Sequence, residues 1–376
     1  MSQIFHSGTY RNQYKYKSFL PSSVNVSFAW NDPKINILLE KANLELGKLE
    51  SFSHFIPDID FFISMHVGKE AVKSSKIEGT KTEFDDLFLD DIDIETIEAR
   101  DDVEEVRNYI EALHVGIKEL NYLPLSFRLF SKIHKILLRG VRGEHKNPGE
   151  IRKSQNWIGG SNLENAFFIP PHHDDLSECI KDFELFLHND DIQIPELIKV
   201  ALAHYQFETI HPYLDGNGRI GRLIIILYLI EKKILTKPVL YISDFFERNK
   251  GAYYDALTVA RSSNDIEHFI KFFLTGIIET CQSSISTFEQ ILILKKDIEA
   301  QILLLGSRAE KAQKVFHHLF GDPIVTSHDI IKLLDVTPAT ANTFIKIFVD
   351  MGVLKEVTGF KRHKLFAFEN YLRLFR

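Results

Sequence analysis

The most constraining feature of this chain is the segment HPYLDGNGRIGR at residues 211–222, because an uninterrupted apolar run, residues 223–230, follows it directly. A glycine-rich turn that leads into such a run predicts the first turn of a buried α-helix. The first backbone N–H groups of a helix have no partner within the helix and lie at the positive end of its dipole, where anions bind. The segment therefore predicts an anion site at the start of a buried helix.

The residue types in this segment suit a polyphosphate site that has its own general base. His211 can titrate near neutral pH, so it is the candidate to take a proton from an incoming hydroxyl. Asp215 lies four residues further on and offers a carboxylate to Mg²⁺, which bridges phosphate oxygens. Gly216, Asn217 and Gly218 are expected to give backbone and amide donors to the α- and β-phosphates, because glycine allows close backbone approach.

Every functional position of the segment matches the Fic motif, HPFx(D/E)GNGRxxR, and the chain resembles the Fic-domain nucleotidyltransferases, which typically move AMP from ATP onto a protein hydroxyl. One position departs from the motif: Tyr213 stands where the family usually has phenylalanine, and it keeps the aromatic ring. The resemblance implies a mainly α-helical fold with a helical Fic core and a β-hairpin flap. It also implies ATP as the substrate and Mg²⁺ as the metal.

Two arginines of the motif complete the predicted nucleotide site. Arg219 and Arg222 lie three residues apart on the predicted helix and therefore share a face. By resemblance, Arg219 holds the β-phosphate and Arg222 the γ-phosphate. Catalysis would then depend on positioning and on charge stabilisation of an in-line displacement at the α-phosphorus, with pyrophosphate as the leaving group.

A second motif, SSKIEG at residues 74–79, changes the functional prediction. It fits [S/T]xxxE[G/N], the signature of the inhibitory helix in many Fic proteins, with Ser74 and Glu78 at its defining positions. Any surface helix that ends in Glu-Gly would satisfy this pattern alone, with the glycine as its C-cap, but the complete Fic motif downstream favours regulation. We expect Glu78 to bind Arg222 through a charge-assisted contact and so to inhibit the enzyme in cis.

Two further segments are expected to complete the site. The alternating, glycine-bounded and aromatic stretch at about 150–171 predicts a β-hairpin. It resembles the flap that holds a target segment by strand addition in the family, which would present one hydroxyl to His211. Tyr253 and Tyr254 correspond to a pair of aromatic residues near the adenine in the family, but neighbours on a helix face different ways. His204, on a preceding apolar helix, is expected to be a packing residue rather than a ligand.

The last zone of the chain, about 305–376, resembles a winged-helix domain. Its helix caps and Pro338 predict a helix-turn-helix, and residues 352–368 alternate like two strands joined by a basic turn. This zone carries about +4 and the remainder about −11. Docking to a protein or dimerisation is slightly favoured over DNA binding, because the recognition helix has few basic residues. DNA binding would place four residues in the major groove and three on phosphates: Thr340, Asn342, Thr343 and Lys346, then Lys361, Arg362 and Lys364.

Hydrophobic periodicity divides the rest of the chain into three parts. Residues 1–100 are expected to form an N-terminal helical region that is irregular up to about residue 35, and residues 281–304 a linker helix, while the resemblance places the Fic catalytic core at residues 101–280. Within the core, helices are expected at residues 103–120, 125–138, 176–189, 194–209 and 219–232. The acidic stretch at 83–105 is interpreted as a solvated connection into the first of them.

Composition indicates a globular protein that works in the cytoplasm. Hydrophobic residues make up 44% of the chain and charged residues 26%, and the net charge of −7 disfavours wholesale coating of nucleic acid. The two cysteines, Cys179 and Cys281, match no metal or redox spacing and suit a reducing compartment. The N-terminal residues lack the apolar segment of a secretory signal, and no apolar run reaches membrane-spanning length.

Three functions compete on this sequence. The leading one is an autoinhibited protein adenylyltransferase that modifies a Ser, Thr or Tyr hydroxyl of a target protein and of itself. A second is another Fic chemistry: removal of AMP, with Glu78 orienting a water, transfer from another nucleotidyl donor, or phosphotransfer from inverted ATP. Gly218 counts against phosphotransfer, because the resemblance would place a lysine there. The third is a DNA-binding regulator that uses the core as a nucleotide sensor, and such a protein would leave the general base His211 unused.

Overall fold

The computed structural model of the protein describes residues 5–55, 59–89, 94, 96–358 and 364–376, and α-helix dominates them, as predicted. None of the helices in this part of the chain combines the length and the apolar character that crossing a membrane requires. In chain order the helices are α1 (Lys34–Phe55), α2 (Ile59–Glu78), α3 (Ile97–Glu119), α4 (Phe127–Leu137), α5 (Leu176–His188), α6 (Glu196–Ile210), α7 (Asn217–Glu231), α8 (Ser243–Arg248), α9 (Lys250–Ser263), α10 (Ile266–Leu303), α11 (Ala309–Leu319), α12 (Ser327–Leu334), α13 (Pro338–Asp350) and α14 (Glu369–Leu372).

Helices α6 and α7 form the centre of the molecule. Every residue of α6 from Leu197 to Ile210 is buried, and so is every residue of α7 from Arg219 to Leu229. A helix that is apolar on all sides must be surrounded by other elements. Accordingly α6 packs against α5, α7 and α10, while α7 also packs against α2, α3 and α4. The loop between these two central helices carries the Fic motif, so the most buried part of the fold holds the predicted site.

The five helices predicted for the core are present, with bounds close to those expected. The largest difference is at α3, which begins at Ile97 rather than at residue 103 because the Thr96 hydroxyl accepts a hydrogen bond from the Ala99 N–H and caps the helix earlier. Residues 281–303, predicted as part of a linker helix, form the second half of the 38-residue helix α10. One continuous helix therefore leads from the core towards the C-terminal elements.

The prediction that residues 1 to about 35 are irregular is wrong. Strands β1 (Gly8–Asn12) and β2 (Lys17–Pro21) pair in an antiparallel hairpin. The Phe19 N–H of β2 donates to the Ile169 carbonyl at 2.9 Å, and the Phe19 ring packs against Phe168. A contact with residues 150 positions away supports this hairpin, and a local pattern cannot reveal such a contact.

The predicted flap hairpin at about 150–171 is only partly present. Its regular pairing is a single antiparallel bridge between Ile158 and Phe168. Gly159 and Gly160 both have φ near +70°, and Pro170 and Pro171 supply no backbone donor, so a longer ladder cannot form. The predicted antiparallel return of the chain is therefore present, with one bridge in place of a longer strand pair.

The two helices predicted for the C-terminal zone are present and are followed by a strand pair, while helix α11 and one further strand precede them and were not predicted. Strands β3 (Ile324–Val325), β4 (Lys355–Glu356) and β5 (Phe366–Ala367) form an antiparallel sheet in the order β3-β5-β4. A capping box between Thr326 and Asp329 starts α12, and the Thr337 hydroxyl caps α13.

Of the residues suggested for DNA contact, three are exposed on α13, namely Asn342, Thr343 and Lys346, whereas Thr340 is partly covered. Lys364 pairs with Glu356 at 2.7 Å. Lys361 and Arg362 lie outside the described residues.

The end of the chain packs onto helix α2, which carries the 74–79 motif. The Phe375 ring lies 5.0 Å from the His66 ring and 5.6 Å from the Phe84 ring. The Arg376 guanidinium forms an ion pair with Asp85, just beyond α2. The C-terminal elements and α2 therefore share one hydrophobic core.

We expect Leu227→Ala to lower the free energy of unfolding by about 3 kcal/mol, because it removes a fully buried side chain that contacts Gly116 on α3 and leaves a cavity. Urea unfolding followed by circular dichroism measures the change. Ile37→Ala, at a position that is 67% exposed, is the matched control and should change stability by less than about 0.5 kcal/mol. Equal effects of the two variants would contradict the central position of α7.

Candidate active site

A cavity of about 290 Å³ lies where α7 begins. The end of α2, the flap and α9 supply its other walls. Two of the residues predicted for the site, Arg219 and Ser74, do not line it. Those that do are Glu78, His211, Asp215, Gly216, Asn217, Gly218, Arg222, Tyr253 and Tyr254.

The loop from His211 to Gly216 is held in one conformation by its own residues. His211 and Gly216 both have left-handed backbone geometry, with φ of 50° and 74°. The Asn217 side chain accepts from the Tyr213 N–H at 2.8 Å and donates to the Tyr213 carbonyl at 2.9 Å. This side chain was predicted to donate to a phosphate, but it is engaged within the loop. The backbone N–H groups at the start of α7 have no intrahelical partner and so are available to an anion.

His134, which sequence reasoning missed, supports the same loop from α4. Its ring stacks on Tyr213 with centroids 4.0 Å apart. The Gly149 N–H donates to Nδ1 at 2.8 Å, so the proton lies on Nε2, which donates to the Asp215 carbonyl at 2.9 Å. Burial lowers the pKa of His134 to about 4 and keeps the ring neutral. One histidine on an apolar helix face gives no sequence signal for this role.

Arg152 and Asn156, also missed, hold the loop from the flap. The buried Arg152 guanidinium donates to the His211 carbonyl at 2.9 Å and to the Pro171 carbonyl at 2.6 Å. The Asn156 amide donates to the Tyr213 carbonyl at 2.9 Å. Burial lowers the pKa of Arg152 to about 10, which leaves it charged at neutral pH. The flap and the motif loop are therefore joined before any ligand binds.

His211 is neutral in this environment. Its side chain is 18% exposed. Burial lowers its pKa to about 3, and the guanidinium groups of Arg152 and Arg261 act in the same direction. Its Nδ1 lies 4.0 Å from the Oε2 atom of Glu208, a buried carboxyl whose pKa burial raises to about 7. A neutral imidazole at the cavity can accept a proton, as a general base must.

Arg222 is fully buried and makes the predicted contact with Glu78, through one hydrogen bond rather than a bidentate pair. Its Nη2 donates to Glu78 Oε1 at 2.6 Å and to the Ser74 carbonyl at 2.9 Å, and its Nε donates to the Ser74 hydroxyl at 2.8 Å. Burial alone would raise the pKa of Glu78, but the Arg222 guanidinium outweighs burial and holds this pKa below its usual range. A Cβ atom at Gly218 would overlap the Glu78 carboxylate, so glycine is needed there in this state.

Arg219 lies outside the cavity in a buried ion pair. Its Nη1 donates to Glu105 Oε2 at 2.9 Å, and its Nη2 lies 3.7 Å from Asp215 Oδ1. Glu105 is 2% exposed, so the interpretation of the whole 83–105 stretch as solvated is wrong at this residue. In this arrangement Arg219 anchors the first turn of α7 to α3.

The two neighbouring tyrosines of α9 take different environments. Tyr253 is buried, stacks on Phe246 with centroids 4.5 Å apart and donates its hydroxyl proton to His204 Nε2 at 2.9 Å. Tyr254 is 40% exposed. Tyr254 is therefore the more accessible of the two rings for a base. His204, fully buried, also donates from Nδ1 to the Gly221 carbonyl at 3.0 Å, so it is a packing residue as expected.

The side chain of Asp215 is placed to hold a cation. It is 41% exposed and lines the cavity. The Gly216 N–H donates to its Oδ1 at 2.6 Å and fixes the carboxylate beside the start of α7. A single carboxylate is enough for Mg²⁺, which keeps several waters and takes further oxygens from substrate phosphates.

Two family models match the sequence. The model described as Fic/DOC family N-terminal matches residues 37–118, and the model described as Fic/DOC family matches residues 124–229. Together these ranges take in half of the chain. The first contains the 74–79 motif and the second contains residues 211–222.

Curated proteins named protein adenylyltransferase Fic are similar to a part of the chain. The protein from Aedes aegypti is 33% identical over 171 residues, which are 44% of this chain and 31% of the relative. The protein from Drosophila erecta is 30% identical over 184 residues, which are 48% of this chain and 33% of the relative. This chain therefore spans about a third of the length of the curated relatives it matches.

Solved structures of Fic proteins share the fold. A Fic family protein from Desulfovibrio desulfuricans G20 superposes with a TM-score of 0.59 at 19% identity, covering 90% of this chain and 97% of that one. A variant of Fic-1 from C. elegans gives a TM-score of 0.51 at 18% identity, covering 68% of this chain and 74% of that one. At such low identity the likeness concerns the fold alone.

We expect His204→Asn to reduce the loss of stability in acid. Burial lowers the pKa of His204 from 6.5 to about 3, so between these values the unfolded chain binds a proton that the folded chain does not. Stability is therefore lost as pH falls below about 6.5, by about 1.4 kcal/mol per pH unit. Urea unfolding of both proteins should show their difference shrinking by about 2 kcal/mol between pH 7 and pH 5. Parallel curves would contradict the neutral state of His204.

Proposed function

This chain belongs to the Fic/DOC family, and from that premise we propose that it is a protein adenylyltransferase. It would transfer AMP from ATP to a serine, threonine or tyrosine hydroxyl of a target protein and release pyrophosphate. The observation that carries the proposal is the neutral His211 on the cavity wall, beside the free N–H groups that begin α7. A nucleotide sensor without transfer chemistry would not need this base.

Each group of cavity residues has a separate role in such a transfer. The target hydroxyl attacks the α-phosphorus, the bond from this phosphorus to the pyrophosphate oxygen breaks, and His211 takes the hydroxyl proton. The N–H groups of Asn217 and Gly218 are the donors for phosphate oxygens, at the positive end of the α7 dipole. Tyr254 is the candidate to contact the adenine.

We propose that Asp215 holds a magnesium ion. Its exposed carboxylate, already oriented by the Gly216 N–H, fits an ion that takes most of its ligands from water and phosphate. When bound, the ion would neutralise charge on the phosphates. Arg219 is then the neighbour that limits how far the carboxylate can turn, because its Nη2 lies 3.7 Å from Oδ1.

The proposed enzyme is autoinhibited by Glu78. The Arg222 guanidinium is shared among Ser74 and Glu78, so it cannot also hold a γ-phosphate. Because Glu78 lies beside Gly218, it also occupies space at the first turn of α7. Release of Glu78 would free both the arginine and this space.

Removal of AMP is the second candidate activity. The Glu78 carboxylate lies close enough to His211 to raise its pKa, against the effect of burial. Such a carboxylate could orient a water towards an AMP-modified side chain. The same residue would then inhibit one reaction and serve the other.

The proposal also covers the partners that the protein binds and the compartment in which it works. Phe167 of the flap is 89% exposed and suits contact with a target segment. The C-terminal elements are proposed as a winged helix that docks a protein or a second copy of the chain, since the exposed face of α13 offers one lysine among the residues considered for DNA. Both cysteines are buried free thiols, in keeping with a reducing cytoplasm.

We expect Glu78→Gly to raise AMP incorporation about tenfold or more, because loss of a charge-assisted hydrogen bond frees Arg222. Intact-mass spectrometry after incubation with ATP and Mg²⁺ measures the gain, in the presence and absence of candidate targets. His211→Ala in the Glu78→Gly protein should abolish it.

Glu83→Gly is the matched control, since Glu83 pairs with Lys76 rather than with Arg222, and it should behave as the parent. A phosphate-sized mass gain would support phosphotransfer instead. If Glu78→Gly modifies no more protein than the parent, autoinhibition is refuted. Loss of AMP from a pre-modified target, faster in the parent than in Glu78→Gly, would support AMP removal.

A further inference from the structure

Glu208 is a buried carboxyl that faces the proposed general base. We propose that Glu208 is a positioning residue for His211. Its carboxylate holds the imidazole proton on Nδ1, so that Nε2 is free to accept the proton of the target hydroxyl, and it stabilises the imidazolium that forms. This inference deepens the proposed AMP transfer and depends on it.

The geometry places the two side chains together. Glu208 lies on the last turn of α6, three residues before His211, which follows the helix as its left-handed C-cap. His211 Nδ1 is 4.0 Å from Glu208 Oε2. Contacts within catalytic groups are often long before substrate binds and shorten in the reactive complex.

Each of the two side chains has one buried polar atom without a hydrogen-bond partner among the described residues. Within the described residues, His211 Nδ1 and Glu208 Oε1 are buried and accept or donate no hydrogen bond. Buried polar groups are almost always paired, so two unpaired groups on neighbouring side chains indicate a function rather than a structural need. By contrast, His134 and His204 each use both ring nitrogens.

The fold makes room for this carboxyl at one glycine. A Cβ atom at Gly221, on the facing turn of α7, would overlap Glu208 Oε1. Gly221 occupies one of the two unspecified positions between the arginines of the Fic motif, so the motif itself does not require glycine there. The space at residue 221 therefore serves Glu208.

The charges around Glu208 set its protonation. Burial raises its pKa to about 7, Glu78 acts in the same direction, and Arg222 and Arg261 oppose it. A protonated carboxyl cannot stabilise an imidazolium, so activity should rise as pH increases through about 7. Among the described residues, the titratable and charged groups that face the pair are Glu78 from α2, Arg152 from the flap, Arg222 from α7, and Tyr253, Tyr254 and Arg261 from α9.

The proton follows one path in this scheme. The target O–H bond breaks as oxygen bonds to the α-phosphorus, and the proton goes to His211 Nε2. The proton on Nδ1 stays between His211 and Glu208, and Glu208 remains ionised. The Glu208 backbone carbonyl also faces the His211 ring, so the test must separate the carboxylate from this carbonyl.

The test compares Glu208→Gln with its parent in the Glu78→Gly background, where inhibition is relieved. Glutamine keeps the size and the backbone carbonyl but removes the charge. We expect kcat for AMP transfer to fall about tenfold or more, with the KM for ATP within about twofold, and the rise of kcat with pH near 7 to disappear. Glu208→Asp should restore part of kcat and the pH dependence. Glu178→Gln, on the exposed face of α5, is the matched control and should match its parent.

The outcomes separate the two proposals. If the Glu78→Gly background transfers no AMP, the proposed function fails. If it is active and Glu208→Gln keeps its kcat and pH profile, the role of Glu208 is overturned while the function stands. Thermal melting and ATP binding check folding. Should Glu208→Gln unfold, Gly221→Ala, which keeps the carboxyl but displaces it, must lower kcat in the same pH-dependent way. An unchanged kcat in a folded Gly221→Ala protein would also overturn the inference.

Discussion

The buried guanidinium of Arg222 is the constraint on which this structure depends. With only 1% of its surface exposed, its charge requires anionic or carbonyl partners at hydrogen-bonding distance, because an unpaired buried charge costs several kcal/mol. In the present state Ser74 and Glu78 supply them. Helix α2 therefore packs against α7 and also supplies the hydrogen-bonding partners of the buried Arg222 charge. Binding of a nucleotide phosphate at this arginine would be an exchange of one anion for another.

The motif loop is preorganised by contacts that involve no ligand. Asn217 holds Tyr213 from within the loop, His134 holds Asp215 from α4, and Arg152 and Asn156 hold the loop carbonyls from the flap. Each contact satisfies backbone groups that would otherwise be buried without partners. Because these groups are fixed beforehand, little reorganisation remains for the moment of reaction, which is what electrostatic catalysis requires.

The sequence predicted well those features that neighbouring residues determine. It predicted badly those that depend on contacts between residues far apart in the chain. The apolar run after residue 222 and the caps at Thr326 and Thr337 predicted helices that the fold contains, and the 74–79 pattern predicted the Glu78–Arg222 contact. The pattern could not reveal β1 and β2, whose pairing is supported by Ile169 far along the chain.

Side-chain roles were harder to predict than elements. The Asn217 side chain was predicted to donate to a phosphate, yet its amide is hydrogen-bonded to the Tyr213 backbone. Arg219 looked like a ligand, yet Glu105, hidden in an acidic run, holds it away from the cavity. In both cases the partner is set by tertiary geometry, which residue spacing does not encode. Docking of the chain end on α2 has a further consequence, because Phe375 and Arg376 contact His66 and Asp85 around the helix that carries Glu78. If release of Glu78 and docking of the chain end both depend on the position of α2, the two are thermodynamically linked, and the linkage is reciprocal. A ligand that binds more tightly when the C-terminal elements are detached from α2 would then favour release of Glu78 from Arg222. ATP bound at Arg222 would favour binding of that ligand to the same degree. The chain could therefore report nucleotide occupancy at a surface far from the cavity.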